Sequence, residues 1–219
     1  MKDAMISDFA ATFAAHDEWG VTGREKGKRA NLSGLDLSGL DLSGLDLCWA
    51  FMREMDLHGT CMRRARLHGA YLSDADLSAA DLSDADLSDA DLSITNLFRT
   101  DLSRANLSKA NFTEAILSEA DLSRANISEA NFSNAILDKA NLSRVNLANT
   151  IGNGKEIKSL KLGQWNVVWT YQDLQIGCVQ YPIARWWEFT EEEIAAMHPD
   201  AADWWERYKA HLRGLIEAN

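Results

Sequence analysis

The chain has 219 residues, a formal charge of −11 and three cysteines, Cys48, Cys61 and Cys178, with no C-x-x-C pair. The acidic balance argues against direct nucleic-acid binding, which rests on neutralising phosphates, and is compatible with docking on a basic protein surface. No apolar run approaches the roughly 18 residues of a membrane span, acidic residues and His16 interrupt any secretory apolar core near Met1, and the odd cysteine count suits a reducing compartment; a cytoplasmic protein without a membrane partner is expected.

The first segment, residues 1–29, reads as a helical cap and linker. Asp8 to Trp19 is Ala-rich, with Phe9 and Phe13 four residues apart, which predicts a short helix. Gly23 to Asn31 is a basic, Gly-containing linker.

From Ala30 a strict period of five takes over. The 24 positions taken every fifth residue from Leu32 to Leu147 are all Leu, Ile, Met or Phe. Ala usually stands two before, Asp or Asn one before, and Ser one after. Residues five apart lie about 140° apart on a helix and on opposite faces of a straight strand, so neither regular element makes an apolar face from this period. A chain that turns a corner in each pentad does. Asn111 to Ala130 aligns with Asn131 to Thr150 at a shift of twenty, with Phe112 over Phe132 and Ile116 over Ile136, so four pentads make one turn. The fold expected for residues 30–150 is a mainly β solenoid of about six four-sided turns, about 29 Å long at about 4.8 Å per turn.

The A-(D/N)-L-S-x repeat of residues 30–150 resembles that of pentapeptide-repeat proteins. The resemblance implies a right-handed quadrilateral β-helix. It also implies a functional alternative, because some relatives imitate DNA, bind DNA gyrase or topoisomerase IV and protect it from quinolone-type poisons.

Sorting the outward positions by turn singles out three groups. Asp74, Asp76, Asp81, Asp84, Asp86, Asp89 and Asp91 form an acidic belt, with no Lys or Arg between Arg66 and Arg99. Arg104, Arg124 and Arg144 stack as a basic stripe beyond Asp84. Ile116 and Ile136, like Phe51 and Tyr71, stack as apolar pairs where water is expected. Each pair is expected to be a landing site, the Phe9 and Phe13 helix covering Phe51 and Tyr71 and the tail covering Ile116 and Ile136.

Residues 151–219 carry six of the eight Trp. Turn signals at Asn153-Gly154 and Gly163-Gln164 bracket alternating residues, which predicts a β-hairpin. Thr190 with Glu193 reads as a capping box, and the last 21 residues as a helix with Trp204, Tyr208 and Leu212 on one face. This α+β unit is expected to hold its Trp residues as its own core, or to dock or dimerise through them.

No catalytic, cofactor-binding or metal-binding residue emerges. Gly152 to Lys155 lacks the spacing of a phosphate-binding loop. His58, Cys61, Cys48 and His68 do not converge as a tetrahedral metal site requires. The expected function is a non-enzymatic protein–protein interaction module, with the alternative of a DNA mimic acting on a type II topoisomerase. The partner-binding candidates are the seven belt aspartates, the three stripe arginines, and Ile116 with Ile136.

Overall fold

The computed structural model describes residues 2–21, 23, 26–162 and 164–217. Helix α1 (Lys2–Val21) leads into the coil of pentads. The chain then forms a four-stranded antiparallel sheet, β1 (Lys158–Leu162), β2 (Trp165–Trp169), β3 (Asp173–Ile176) and β4 (Val179–Pro182), in that spatial order. Helices α2 (Ile183–Glu188), α3 (Glu191–Met197) and α4 (Ala201–Glu217) follow.

Between residues 31 and 151 every isolated bridge is parallel and joins residues twenty apart, from Asn31 with Phe51 to Asn131 with Ile151. The pentad Asp86 to Ala90 shows why the period is five. Asp86 N donates to Ala65 O one turn back, while Leu87 N and Asp89 N donate to Asn106 O and Ser108 O one turn on. Ala90 N closes a turn onto Leu87 O. Only Ser88 N lacks a backbone partner, and the Asp86 carboxylate accepts from it at 3.1 Å. Each of the five N–H groups thus has an acceptor, as a buried chain requires. The Asp or Asn of the repeat supplies the fifth, an Asx turn.

The corner has its own requirement. All 24 corner residues, every fifth from Gly34 to Asn149, have φ between 55° and 74°. Only five of them are Gly; one is the β-branched Ile94, a poor occupant of the left-handed region.

The 24 inward side chains are each at most 3% exposed. Thr60, Thr95, Thr100 and Thr150 replace Ala beside this column, and each hydroxyl donates to a backbone carbonyl. The first turn carries Leu35, Leu40 and Leu45 at the Ala position, and Phe13 of α1 packs against the core there. His16 is buried; its Nδ1 accepts from Ala30 N at 3.1 Å.

At the other end, Ile157 and Val168 join the solenoid core. Side chains of the sheet take over where the next turn would have supplied backbone acceptors. Asp173 accepts from Arg144 N, and Gln180 accepts from Leu147 N while its amide donates to Val145 O. The opposite face of the sheet and the helices enclose a separate core around Trp169, Trp186, Trp204 and Trp205.

Several expectations are corrected. α1 starts earlier than Asp8 and is longer than expected. The tail holds two hairpin strands more, β3 and β4, and α2; these are four to six residues long, too short to show a period. Of the two turn signals, Asn153 organises its loop by accepting from Lys155, Glu156 and Ile157 N, whereas Gly163 lies outside the described residues. The Thr190–Glu193 capping box forms in full.

Candidate interaction surfaces

The outward side chains of the solenoid stand in columns set by the twenty-residue register, and three surfaces result. The first is the acidic belt. Asp76, Asp81, Asp86 and Asp91 are half-buried Asx-turn acceptors, each bonded to the Ser N–H two residues on. The amide groups of Asn96, Asn106 and Asn111 donate to Asp76, Asp86 and Asp91 across one turn. Asp74, Asp84 and Asp89 stand at corners with positive φ.

The belt is less isolated than the linear sequence implies. Arg53 approaches Asp74 at 3.8 Å, Arg63 approaches Asp81 at 3.7 Å, and His68 approaches Asp89 at 3.7 Å. Arg104 clamps Asp84 with two bonds of 2.7 and 2.8 Å, and this guanidinium holds the Asp84 carboxyl below its usual pKa. Turns are only about 4.8 Å apart, so an Arg side chain from an adjoining turn reaches in. These pairs are exposed, and each contributes little stability. What they change is the field, because the belt presents paired and unpaired carboxylates side by side. One ladder of acids stands on a single face, Asp81, Asp101 and Asp121 bridged in succession, with Arg63 beside its first member.

The second surface is the basic stripe. Arg104, Arg124 and Arg144 share one corner column with Asp84. Arg104 is committed to Asp84, while among the described residues Arg124 and Arg144 form no ion pair.

The third surface is apolar. Ile116 and Ile136 bridge one another and are 41% and 46% exposed, so the tail does not cover them as expected; it docks on the end of the coil instead. Ile94, 55% exposed, stands at the corner that opens this face, and Phe98 lies half-buried on it. An isoleucine in the bridge position has no side-chain acceptor, so the Asx hydrogen bond to Ser118 N and Asp138 N is lost. Phe51 and Tyr71 differ from this pair. The Arg29 guanidinium lies 3.8 Å from the Phe51 ring centre and 4.8 Å from that of Tyr71. Arg29, in the segment after α1, thus reaches over both rings but does not cover them, since Phe51 stays 37% exposed; Phe13 goes to the core and the Phe9 side chain lies outside the described residues.

The other reactive side chains are occupied structurally. His58 and His68 each share a hydrogen bond of 2.9 Å with a serine one turn on, Ser78 and Ser88. Burial, followed by the Asp46 carboxylate, pushes the Cys48 thiol up to about 11. Among the described residues no cluster of His, Cys, Asp or Glu could hold a metal ion, and no helix is long and apolar enough to cross a membrane.

A coil of five-residue sides bridged every twenty residues around a buried apolar column defines a β-solenoid scaffold. The pentapeptide-repeat family model matches residues 30–69, 60–97, 95–134 and 125–151. The chain belongs to that family of right-handed β-solenoids. It is similar to a pentapeptide repeat protein of the Arabidopsis thaliana thylakoid lumen, with 31% identity over 45% of this chain and 69% of that one, at a TM-score of 0.44. It is similar also to HetL, a pentapeptide repeat protein involved in heterocyst differentiation regulation in the cyanobacterium Nostoc sp. strain PCC 7120 (35% identity, 57% and 70% coverage, TM-score 0.39). QnrB1, a plasmid-mediated fluoroquinolone resistance protein, aligns at 18% identity over 57% of this chain and 88% of its own, with a TM-score of 0.30. No curated protein matches the chain.

Proposed function

We propose that the protein is a non-enzymatic interaction module of three parts: residues 1–29 as a cap, residues 30–150 as a rigid rod of about six turns, and residues 151–219 as a second closing unit. Its partner is a protein, met on the face that carries Ile116 and Ile136. The observation behind this reading is that the fold has no use for these two isoleucines. Each is exposed, and each forgoes the Asx hydrogen bond that Asn or Asp makes at most bridge positions. Covering them on a partner would be worth about 1.5–3 kcal/mol per side chain. The Trp residues are weaker candidates for a docking or dimer surface, because Trp169, Trp186, Trp204 and Trp205 are buried in their own unit. Three cysteines without a disulfide fit a reducing, cytoplasmic setting.

The ladder of Asp81, Asp101 and Asp121 favours a second reading, a DNA mimic that binds a type II topoisomerase. Against it stand the arginines that pair within the belt, and the stripe of Arg124 and Arg144. One comparison separates the two. Proteins captured from cell extract by the parent would be compared with those captured by Ile116→Asn/Ile136→Asn and by Asp81→Asn/Asp86→Asn/Asp91→Asn. Asn keeps the Asx turn at the three aspartate positions and supplies one at the two isoleucine positions, so neither variant removes a backbone partner. The apolar-face reading expects capture to be lost only with the double variant. Loss only with the triple variant, with a matching effect on a gyrase supercoiling assay and a flatter salt dependence, would transfer the function to the belt. Capture undiminished in both variants would sink both readings.

A further inference from the structure

The unit formed by the sheet and α2 to α4 contains a cavity of about 70 Å³, open on one side. Its walls are Trp165, Trp186, Trp204 and Trp205, completed by aliphatic side chains with Cys178, Met197 and His198, and no Asp, Glu, Lys or Arg lines it. Two of the indoles are held in place by their own N–H groups: Trp186 donates to Leu174 O at 2.7 Å and Trp204 to Leu162 O at 2.8 Å. Trp165 packs on Trp204 with ring centres 5.0 Å apart, and Trp186 on Trp205 at 5.5 Å. The walls are therefore set before anything enters, which lowers the cost of binding.

The volume is several times what a single water needs, and roughly half that of an apolar cavity known to admit benzene. It accepts the leading edge of one ring, with the remainder at the open side. Water is a poor occupant, because it needs two or more polar partners. Protein interiors normally close such voids, and a larger side chain at Ala201, which lines the cavity and is buried, would close this one. The lining includes one side chain suited to orienting a ligand. His198 accepts from Asp200 N through Nδ1 at 3.1 Å, so its neutral ring carries hydrogen on Nε2 and can donate there. Its ring meets that of Trp165 edge to face at 5.5 Å.

We infer that this cavity is a binding site for a small neutral ring compound bearing one hydrogen-bond acceptor, with the leading edge of the ring among the four indoles, the remainder at the open side, and the acceptor toward His198. An anion is disfavoured, since burial would strip its hydration with no cation in the lining to compensate.

The full chain would be titrated with methyl benzoate, benzoate and toluene, reading indole fluorescence and the indole N–H resonances. Saturable binding is expected for methyl benzoate and weaker binding for toluene, with none for benzoate. His198→Ala should reduce the preference for the ester over toluene by roughly fivefold, the size of one hydrogen bond. Ala201→Leu should abolish saturation. In the parent protein, proton–proton contacts from the ester to Trp165 and Trp204 decide the location even if Ala201→Leu fails to fold. A linear, non-saturating response to the ester, or contacts elsewhere, would overturn the site. Benzoate binding as tightly as the ester would overturn the neutral class. An ester preference that survives His198→Ala would overturn the role of His198.

Discussion

Phe112 and Phe132 stack ring on ring within the solenoid column, with centres 4.6 Å apart and planes 8° from parallel. The separation is close to the spacing between turns, so two rings one turn apart fill consecutive layers. Both are fully buried. Phe132→Ala should therefore cost about 3–5 kcal/mol, read from denaturant unfolding. Phe132→Leu, which installs the commonest inward residue, should cost far less. Equal losses for the two would mean that the column is not packed in layers.

Ile94 is a strained corner. It has φ of 59° and is more than half exposed. The left-handed region costs an ordinary residue about 1–2 kcal/mol, and Asn tolerates it. Ile94→Asn should raise stability by about 1 kcal/mol. A thermal midpoint at or below that of the parent would contradict the corner geometry.

Gly69 is a corner of a different kind. A Cβ there would lie 2.5 Å from the Trp49 ring, whereas at Gly34 it would meet nothing within 4 Å. Both have positive φ. Gly34→Ala should show the backbone cost alone, about 1 kcal/mol, and Gly69→Ala an additional steric cost of about 1–3 kcal/mol with a red shift in Trp emission. Matching effects would show that Trp49 does not rest on Gly69.

His16 ties α1 to the first turn as an acceptor from Ala30 N. Burial lowers its pKa, Arg29 adds to that, and Asp46 and Asp17 oppose it. Because the folded pKa lies below the ordinary value of 6.5, the contribution of neutral His16 is complete above that pH and is lost as pH falls through the folded pKa. After correction for intrinsic exchange, the Ala30 amide should lose protection from hydrogen exchange on acidification through this range. In His16→Gln its protection should not vary with pH there. A pH-independent Ala30 amide in the parent would remove His16 from the contact.

Gln180 bonds both Leu147 N and Val145 O. Gln180→Ala strips two backbone groups of their partners, at about 1–3 kcal/mol. The Leu147 amide should exchange faster while that of Leu87, bonded to Asn106 O, stays protected. Uniform loss of protection would mean that the end contact supports the whole rod.

The sequence alone determined the repeating part of this protein. A pentad satisfies its turn and its Asx bond within five residues, and the twenty-residue shift of Phe112 onto Phe132 announced the register of the bridges. The corner column of Gly44, Arg64, Asp84, Arg104, Arg124 and Arg144 was legible for the same reason. Only the tertiary structure decided what the side chains of different turns do to one another. The gap between Arg66 and Arg99 looked like unrelieved charge, yet Arg53, Arg63 and Arg104 reach across turns to fill part of it. The ends were hidden too. Nothing periodic marks Asp173 and Gln180 as acceptors for the last turn, or Arg29 as the cation beside the Phe51 and Tyr71 rings, since such contacts join residues up to 42 positions apart. Local hydrogen bonds repeat and can be read from one pentad; the reach of a long side chain and the closing of an end occur once, and depend on where the whole coil has brought the chain.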